Sequence, residues 1–286
     1  MPTIIRRRKL GRTGCREIAR YSQTGVRVVR SDRPLPDDDL YIRWGCTASV
    51  PARNVINTAE AIHQVNDKLG FRQLLMDHHV VNQGELLCPM TYFSTDFASS
   101  FDEVNVIVRP RQHAQGRHLH VCTSIEEVRQ VCQRLGRNNY YISELINKVA
   151  EYRVFIVQGR AVWVAQKTPG NPNDVAWNVA RGGRFDNVRW DDWPLKVVRT
   201  AIEAFNLSQL DFGGVDVVTD AEGNAYVLEI NSAPSQTSPY RQECTARALD
   251  WVIQNGKDRI PLIAERGGYR KFIHPALTDR AQLVGV

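Results

Sequence analysis

The feature that most constrains this chain is a pair of β-prone segments around a polar turn at residues 213–231. Gly-Val-Asp-Val-Val-Thr and Ala-Tyr-Val-Leu-Glu-Ile-Asn flank Asp-Ala-Glu-Gly-Asn, and this pattern is typical of a β-hairpin. If the turn is centred on residues 222 and 223, counting outward along both strands places Asp216 directly opposite Glu229. The hairpin therefore brings two acids together on one surface.

Strand alternation adds a third polar group to this surface. Side chains two residues apart share a face, so Asn231 points the same way as Glu229. The opposite, apolar face is predicted to consist of Val215, Val217, Leu228 and Ile230. Like charges across a hairpin repel, and Mg²⁺ relieves that repulsion because it prefers one or two carboxylates together with phosphate oxygens and water. We predict a magnesium site at Asp216, Glu229 and Asn231; the alternative is one solvated and one hydrogen-bonded acid.

Composition limits the classes of protein that remain. The 286 residues are 43% hydrophobic and 24% charged, which fits one enzyme of two or three lobes. No apolar run is long enough for a membrane helix and no secretory signal is recognisable, so a cytoplasmic protein without a membrane partner is expected. Six cysteines without a CxxC pair indicate neither a zinc site nor a disulfide framework.

Charge and local pattern suggest how the chain is divided. Residues 1–25 are predicted to form a basic arm, 26–90 an N-terminal α/β lobe, 91–150 a central lobe, and 151–286 a C-terminal lobe with the metal site. The net charge of +6 favours acidic partners such as ATP, an acidic peptide or a nucleic acid.

Capping and turn signals predict several local elements. Asn57 is expected to cap a helix that ends near Gly70, and Ser124 to open a helix over residues 124–135. Residues 104–108 and 140–146 are strand-like, and a hairpin turns at residues 158–159. A helix over 194–205 precedes the metal hairpin, and another follows it.

The hairpin sequence, Gly-Val-Asp followed by Leu-Glu-Ile-Asn-Ser-x-Pro, resembles the ATP-grasp superfamily, in particular the ribosomal-protein glutamate ligases and D-alanyl-D-alanine ligase. The resemblance covers roughly residues 55 to 240. It implies an α/β (α+β) fold with an N-terminal α/β lobe and two further lobes that enclose ATP. It also implies that Asp216, Glu229 and Asn231 hold two Mg²⁺ ions, with Mn²⁺ as a substitute.

Other segments match this family in the same order along the chain. Asn-Asp-Lys-Leu implies a phosphate contact for Lys68, for which an ordinary surface lysine is the alternative. Val-Ile-Val-Arg-Pro implies a similar role for Arg109, although the family normally has lysine there, and the loop that follows contains only one glycine, Gly116. A guanidinium can hold a phosphate bidentately but has a different reach.

The same resemblance implies the rest of the nucleotide and catalytic site. Ser-Glu-Leu-Ile resembles the hinge that binds adenine through its backbone, which would be Glu144, Leu145 and Ile146 here. Glu151 takes the position of the residue that binds the ribose hydroxyls. Lys167 and the Arg-Gly-Gly stretch at Arg181 imply catalytic roles, and Arg181 would also contact the nucleotide and stabilise transferred charge.

These residues imply an ATP-dependent carboxylate-amine ligase of the acid-amino-acid ligase type. A substrate carboxylate would take the γ-phosphoryl group of ATP to form an acyl phosphate, and an amine acceptor would then form the amide, with ADP and phosphate as by-products. Two alternatives remain: a kinase with the same fold, and a non-catalytic module that binds a nucleotide or nucleic acid. The sequence gives neither the two substrates nor the oligomeric state.

Overall fold

The protein has three β-sheets flanked by helices. The computed structural model describes residues 1–7, 12–52, 54–92, 104–111, 118–136, 139–171, 174–177, 182–262 and 267–280. Within these ranges the sheets contain four, four and five strands. No helix in the described parts of the chain is both long and apolar enough to cross a membrane.

The first sheet is parallel and has the strand order β2-β1-β3-β4. Its strands are β1 (Thr3–Arg6), β2 (Arg27–Arg30), β3 (Leu40–Trp44) and β4 (Asn54–Ile56), with helix α1 (Arg12–Tyr21) between β1 and β2. The prediction of a basic arm at residues 1–25 is therefore wrong. Ile4 and Ile5 are fully buried, so β1 occupies the interior of the sheet despite the arginines that follow it.

Two helices follow the first sheet, where the sequence predicted one. Helix α2 (Ala59–Asn66) is capped by Thr58, whose side chain accepts a hydrogen bond from the Ala61 amide, and not by Asn57 as predicted. Asn57 instead has a φ of 63° and bonds through its side chain to the backbone at Phe212. Helix α3 (Lys68–Asn82) starts after Asp67 and runs through Gly70, so the predicted helix end at this glycine is wrong.

The second sheet is antiparallel, with the order β5-β8-β6-β7. It comprises β5 (Thr91–Tyr92), β6 (Val106–Pro110), β7 (His120–Cys122) and β8 (Tyr140–Glu144), with helix α4 (Ile125–Leu135) between β7 and β8. Ser124 caps α4 as predicted. This unit has its own small core around Val108, Val128 and Ile142, apart from the main core.

The third sheet is antiparallel, has the order β11-β10-β9-β12-β13 and carries most of the site. Its elements are β9 (Ala150–Val157), β10 (Arg160–Thr168), β11 (Arg184–Val188), β12 (Phe212–Thr219) and β13 (Ala225–Asn231), with helices α5 (Leu195–Leu207) and α6 (Pro239–Asn255). The β9–β10 hairpin turns at Gln158 and Gly159 as predicted. Trp44 of the first sheet packs on Phe155 and Phe212, so the first and third sheets share one core.

The β12–β13 hairpin pairs Asp216 with Glu229, as predicted, but reaches that register by a different route. Thr219 pairs with Ala225, so the turn is one residue out of step with the predicted one. A β-bulge next to Asp216 restores the register, because Val217 pairs with Val227 and the intervening Leu228 has no partner. Leu228 consequently lines the cleft, and Val227 takes its predicted place in the core.

The C-terminal segment returns to β10 and buries His274 completely. Its ring Nδ1 accepts a hydrogen bond from the Ala276 amide, and the ring meets the edge of Trp251 at 5.3 Å. Burial, with a smaller contribution from Arg160, lowers the pKa of His274 from 6.5 to about 3. The folded protein therefore holds this imidazole in its neutral form.

Replacement of His274 by Phe should make the protein more resistant to acid. A depressed folded-state pKa stabilises the protein above pH 6.5, and this stability is lost as the pH falls from 6.5 towards 3. At pH 5 the contribution lost is about 2 kcal/mol, at 1.36 kcal/mol per pKa unit. Urea unfolding at pH 7 and pH 5 should show a smaller loss for His274→Phe, whereas His63→Gln, at an exposed histidine, should behave as wild type. Equal losses in wild type and His274→Phe would contradict this account.

Candidate active site

A cleft of about 300 Å³ lies between the second and third sheets, and we call it the nucleotide cleft. Strands β6 and β8 line one side, and β9, β10, β12 and β13 line the other. One part of its wall is apolar, with Ile107, Leu145, Val218 and Leu228, while charged side chains line the rest. Such a combination suits a ligand with a flat apolar ring and a charged tail.

The predicted metal residues share one wall of this cleft. Asp216 and Glu229 both line it, and the Asn231 amide donates a 3.0 Å hydrogen bond to Oε1 of Glu229. No group of three or more His, Cys, Asp or Glu side chains suited to a metal occurs in the described ranges, so the candidate centre consists of two carboxylates and one amide.

Each of the two acids has a basic partner that relieves their mutual repulsion. Arg153 of β9, directly across from Asp216, holds it bidentately through Nε–Oδ1 at 2.6 Å and Nη2–Oδ2 at 2.7 Å. Lys68 Nζ lies 3.2 Å from Oε2 of Glu229. Burial opposes ionisation of Glu229, but Lys68, Asn231 and Arg153 outweigh it and hold the pKa of Glu229 below its usual range. Both acids are therefore available as anions without a metal.

These ion pairs are compatible with a bound cation. A carboxylate has about four lone-pair sites, and the Arg153 fork uses one on each oxygen of Asp216. Asn231 uses its nitrogen towards Glu229, which leaves its Oδ1 as the candidate ligand atom. Oxygen donors of this kind are those that Mg²⁺ prefers. The site thus fits a hard divalent cation in contact with phosphate.

Glu151 lies at the centre of a second charged cluster in the cleft. Its side chain is buried and pairs with Lys167, while its Oε2 lies 2.5 Å from Nζ of Lys148. Lys148 also lies 4.3 Å from the centre of the Trp177 ring, and burial lowers the pKa of Lys148 against the influence of Glu151. Both carboxylate oxygens of Glu151 face lysines, so this residue orients cations in addition to any contact with a ribose.

The predicted hinge lies on the cleft wall, with two of its amides already engaged. The amide of Glu144 donates to the carbonyl of Met90 at 2.9 Å, and that of Leu145 donates to the carbonyl of Asn105 at 3.1 Å. Among the hydrogen bonds of the described residues none uses the Ile146 amide, so Ile146 is the hinge donor best suited to an adenine ring.

Arg109 and Lys68 occupy different positions relative to the cleft. Arg109 lines it directly, and burial lowers the pKa of its guanidinium. Lys68 reaches the cleft wall through its contact with Glu229. The predicted catalytic residue Arg181 lies outside the described residues, as does Gly116, while Lys167 is buried beside Glu151.

Sequence analysis missed Arg72, which contacts several walls of the cleft. This buried arginine of α3 donates to Thr91 at 3.2 Å, to Ser143 at 3.4 Å and to the carbonyl of Leu228 at 3.2 Å. It thereby connects β5 and β8 of the second sheet to β13 of the third. Only tertiary structure reveals these contacts, because Arg72 lies within a helix and has no local motif.

Known proteins share both this fold and part of this sequence. A family model described as an ATP-grasp domain, the third family of its clade, matches residues 51–250. A probable alpha-L-glutamate ligase of Aeromonas salmonicida (strain A449) is 26% identical over 183 residues, which cover 63% of this chain and 60% of the relative. The chain therefore spans less than two thirds of that relative's length.

Solved structures of ligases have the same fold. The D-alanine–D-alanine ligase of Bacillus anthracis aligns with a TM-score of 0.64 at 11% identity, covering 88% of this chain and 96% of that one. The ATP-grasp ligase PsnB, complexed with minimal precursor, Mg and ADP, aligns with a TM-score of 0.61 at 13% identity, covering 87% and 96%. These likenesses confirm the predicted ATP-grasp fold.

The fold, together with the charged cleft between two antiparallel sheets, defines the class as ATP-grasp. The chain belongs to this ATP-grasp domain family, whose model matches well over half of its length.

Proposed function

We propose that this protein is an ATP-dependent carboxylate-amine ligase. The observation that carries the proposal is that Asp216, Glu229 and Asn231 meet on one wall of a cleft whose other walls present Arg109, Lys167 and the hinge. A carboxylate is a poor electrophile, and conversion to an acyl phosphate supplies a good leaving group. The family membership and the relative named as a glutamate ligase support the same chemistry.

In this proposal the side chains of the cleft bind and orient the substrates. Asp216, Glu229 and Asn231 would hold two Mg²⁺ ions, or Mn²⁺ in their place, and these ions would neutralise phosphate charge when bound. Arg109 and Lys167 add fixed positive charge, and Glu151 keeps Lys167 and Lys148 in position. Lys68 and Arg181 are proposed to contact the phosphates.

The order of bond changes follows from these positions. An oxygen of the substrate carboxylate attacks the γ-phosphorus, the bond to the β-phosphate oxygen breaks, and ADP leaves. The amine then attacks the acyl carbon, loses a proton and displaces inorganic phosphate, which leaves an amide. The protein positions the reactants and stabilises charge without forming a covalent bond to either of them.

The substrates are proposed more broadly. Glutamate is the first amino acid to test because the Aeromonas relative is named an alpha-L-glutamate ligase, and PsnB was solved with a precursor. The chain's net charge of +6 favours an acidic partner, either an acidic peptide or a nucleic acid. Peptides with acidic side chains are therefore the first acceptors to test.

The test is Mg²⁺-dependent ADP release with a panel of amino acids and acidic peptides, followed by mass measurement of the products. A ligase should give a product heavier by one amino acid less water, and hydroxylamine should trap the acyl phosphate as a hydroxamate. A stable phosphorylated alcohol would instead indicate a kinase of the same fold. Nucleotide binding without ADP release across the panel would favour the non-catalytic alternative.

A further inference from the structure

A second cavity, of about 400 Å³, lies at the opposite end of the third sheet from the nucleotide cleft. It is formed by the β9–β10 turn, the C-terminal part of α5 and residues 259–262, and we call it the Arg160 groove. Arg160 begins strand β10, and Lys167 of the cleft lies seven residues further along that strand. At about 3.3 Å per residue the two sites are roughly 20 Å apart, so a ligand in the groove cannot touch the proposed reaction centre.

The floor of this groove is a buried guanidinium with few partners. Arg160 is only 4% exposed, and its Nη1 donates to the carbonyl of Gly159 at 2.5 Å. Its Nε has no hydrogen-bond partner, and no ion pair involving Arg160 is found in the described part of the chain. A buried charge without a counter-ion is costly, which is reflected in the pKa of Arg160, lowered by burial to about 10.

A second guanidinium lies beside the first. Arg259 is stacked over the Phe205 ring at 5.2 Å, and a Cβ placed on Gly159 would lie 4.0 Å from Arg259 Nη1. The carbonyl that accepts from Arg160 and the head group of Arg259 therefore meet at the same short turn. Residue 260 fixes this arrangement, because the Ile260 amide donates to the carbonyl of Gln158 at 3.1 Å.

The nearest acid does not neutralise this pair. Asp211 attracts Arg259, although burial outweighs it and lowers the pKa of Arg259. The Asp211 oxygens accept hydrogen bonds from the Asn57 amide at 2.6 Å and from the Gln158 side chain at 3.1 Å. Neither arginine forms an ion pair with Asp211 or with another acid within the described ranges. Two positive charges therefore line one cavity without a carboxylate bound to either.

We propose that the Arg160 groove binds a small phosphate-type oxyanion, held between the guanidiniums of Arg160 and Arg259. Guanidinium groups present planar N–H forks that match phosphate oxygens, and a dianion would balance two arginines. The ligand is either free phosphate or the phosphate group of a small phosphoester. This site is separate from the nucleotide cleft and does not depend on the ligase proposal.

Calorimetric titration of the full chain, saturated with ADP and Mg²⁺ so that the cleft is filled, tests this proposal. Inorganic phosphate and glycerol 2-phosphate are titrated at constant ionic strength, against sodium chloride as the reference. Binding of both would indicate a phosphoester site, and binding of inorganic phosphate alone a site for the free ion; either supports the proposal. Arg160→Gln should weaken binding by about tenfold or more, as expected for lost charged hydrogen bonds.

Two further variants keep the test decisive. Arg259→Gln changes an exposed side chain, so it should fold normally and still weaken phosphate binding severalfold, even if Arg160→Gln proves unstable. Arg129→Gln, at an exposed arginine of α4, should bind phosphate as the wild type does. The proposal is overturned if neither anion gives more heat than chloride, or if Arg259→Gln binds phosphate with wild-type affinity.

Discussion

Replacement of Glu229 by Gln is expected to lower the rate of ADP release by about 1,000-fold while the fold stays intact. The amide keeps the shape and the hydrogen bond from Asn231 but removes a full negative charge from the proposed metal site. Loss of several kcal/mol of charge stabilisation in the transition state, about 4 kcal/mol, corresponds to that factor. Steady-state ADP release with saturating ATP and Mg²⁺ measures it.

A matched control lies on the same hairpin. Glu222 is an exposed acid in the turn between β12 and β13. Glu222→Gln makes the same chemical change without touching the cleft and should retain wild-type turnover. Circular dichroism should show the same folded structure for both variants. Glu229→Gln with more than a tenth of wild-type activity would contradict the metal role of this carboxylate.

Replacement of Arg153 by Met is expected to lower the free energy of unfolding by about 3 kcal/mol, because it leaves a buried acid without its partner. Asp216 is only 4% exposed and receives both of its charge-assisted hydrogen bonds at 2.6 and 2.7 Å from Arg153. Asp216 strengthens the positive charge in return: burial alone would lower the pKa of Arg153, and the carboxylate raises it. Urea unfolding without nucleotide or metal measures the loss.

A double variant separates this effect from lost packing. Combining Arg153→Met with Asp216→Asn removes both charges, so most of the lost stability should return even though catalysis does not. Arg184→Met, which breaks an exposed pair with Asp186, should leave stability unchanged. If Arg153→Met is as stable as Arg184→Met, the buried pair does not have the importance assigned to it here.

The metal hairpin shows how far local pattern can predict a site. Alternation and turn composition were enough to place Asp216 opposite Glu229, and the structure has that pairing. The bulge that shifts Leu228 into the cleft left no recognisable trace in the sequence, because a bulge depends on how the two strands and their neighbours pack. The cross-strand partner was therefore predictable, but the order of the side chains around it was not.

Long-range partners were beyond prediction from local pattern. Arg153 pairs with Asp216, 63 positions away, and Arg72 contacts Leu228, 156 positions away. Strand β1 was mistaken for part of an arm because its four residues are short and precede a run of arginines, and only its two neighbouring strands reveal it as interior. Composition indicated solvent exposure where pairing in the sheet produced burial.

The most direct test of the central claim is a crystal structure with Mn²⁺ and a non-hydrolysable ATP analogue, with the ions located by anomalous scattering. The account predicts Mn²⁺ between the phosphates and the oxygens of Asp216, Glu229 and Asn231, at distances close to the roughly 2.1 Å typical of Mg²⁺. Arg153 should still hold Asp216, because the fork leaves lone pairs for the ion. Ions bound to other side chains, with these three groups away from the triphosphate, would contradict the account.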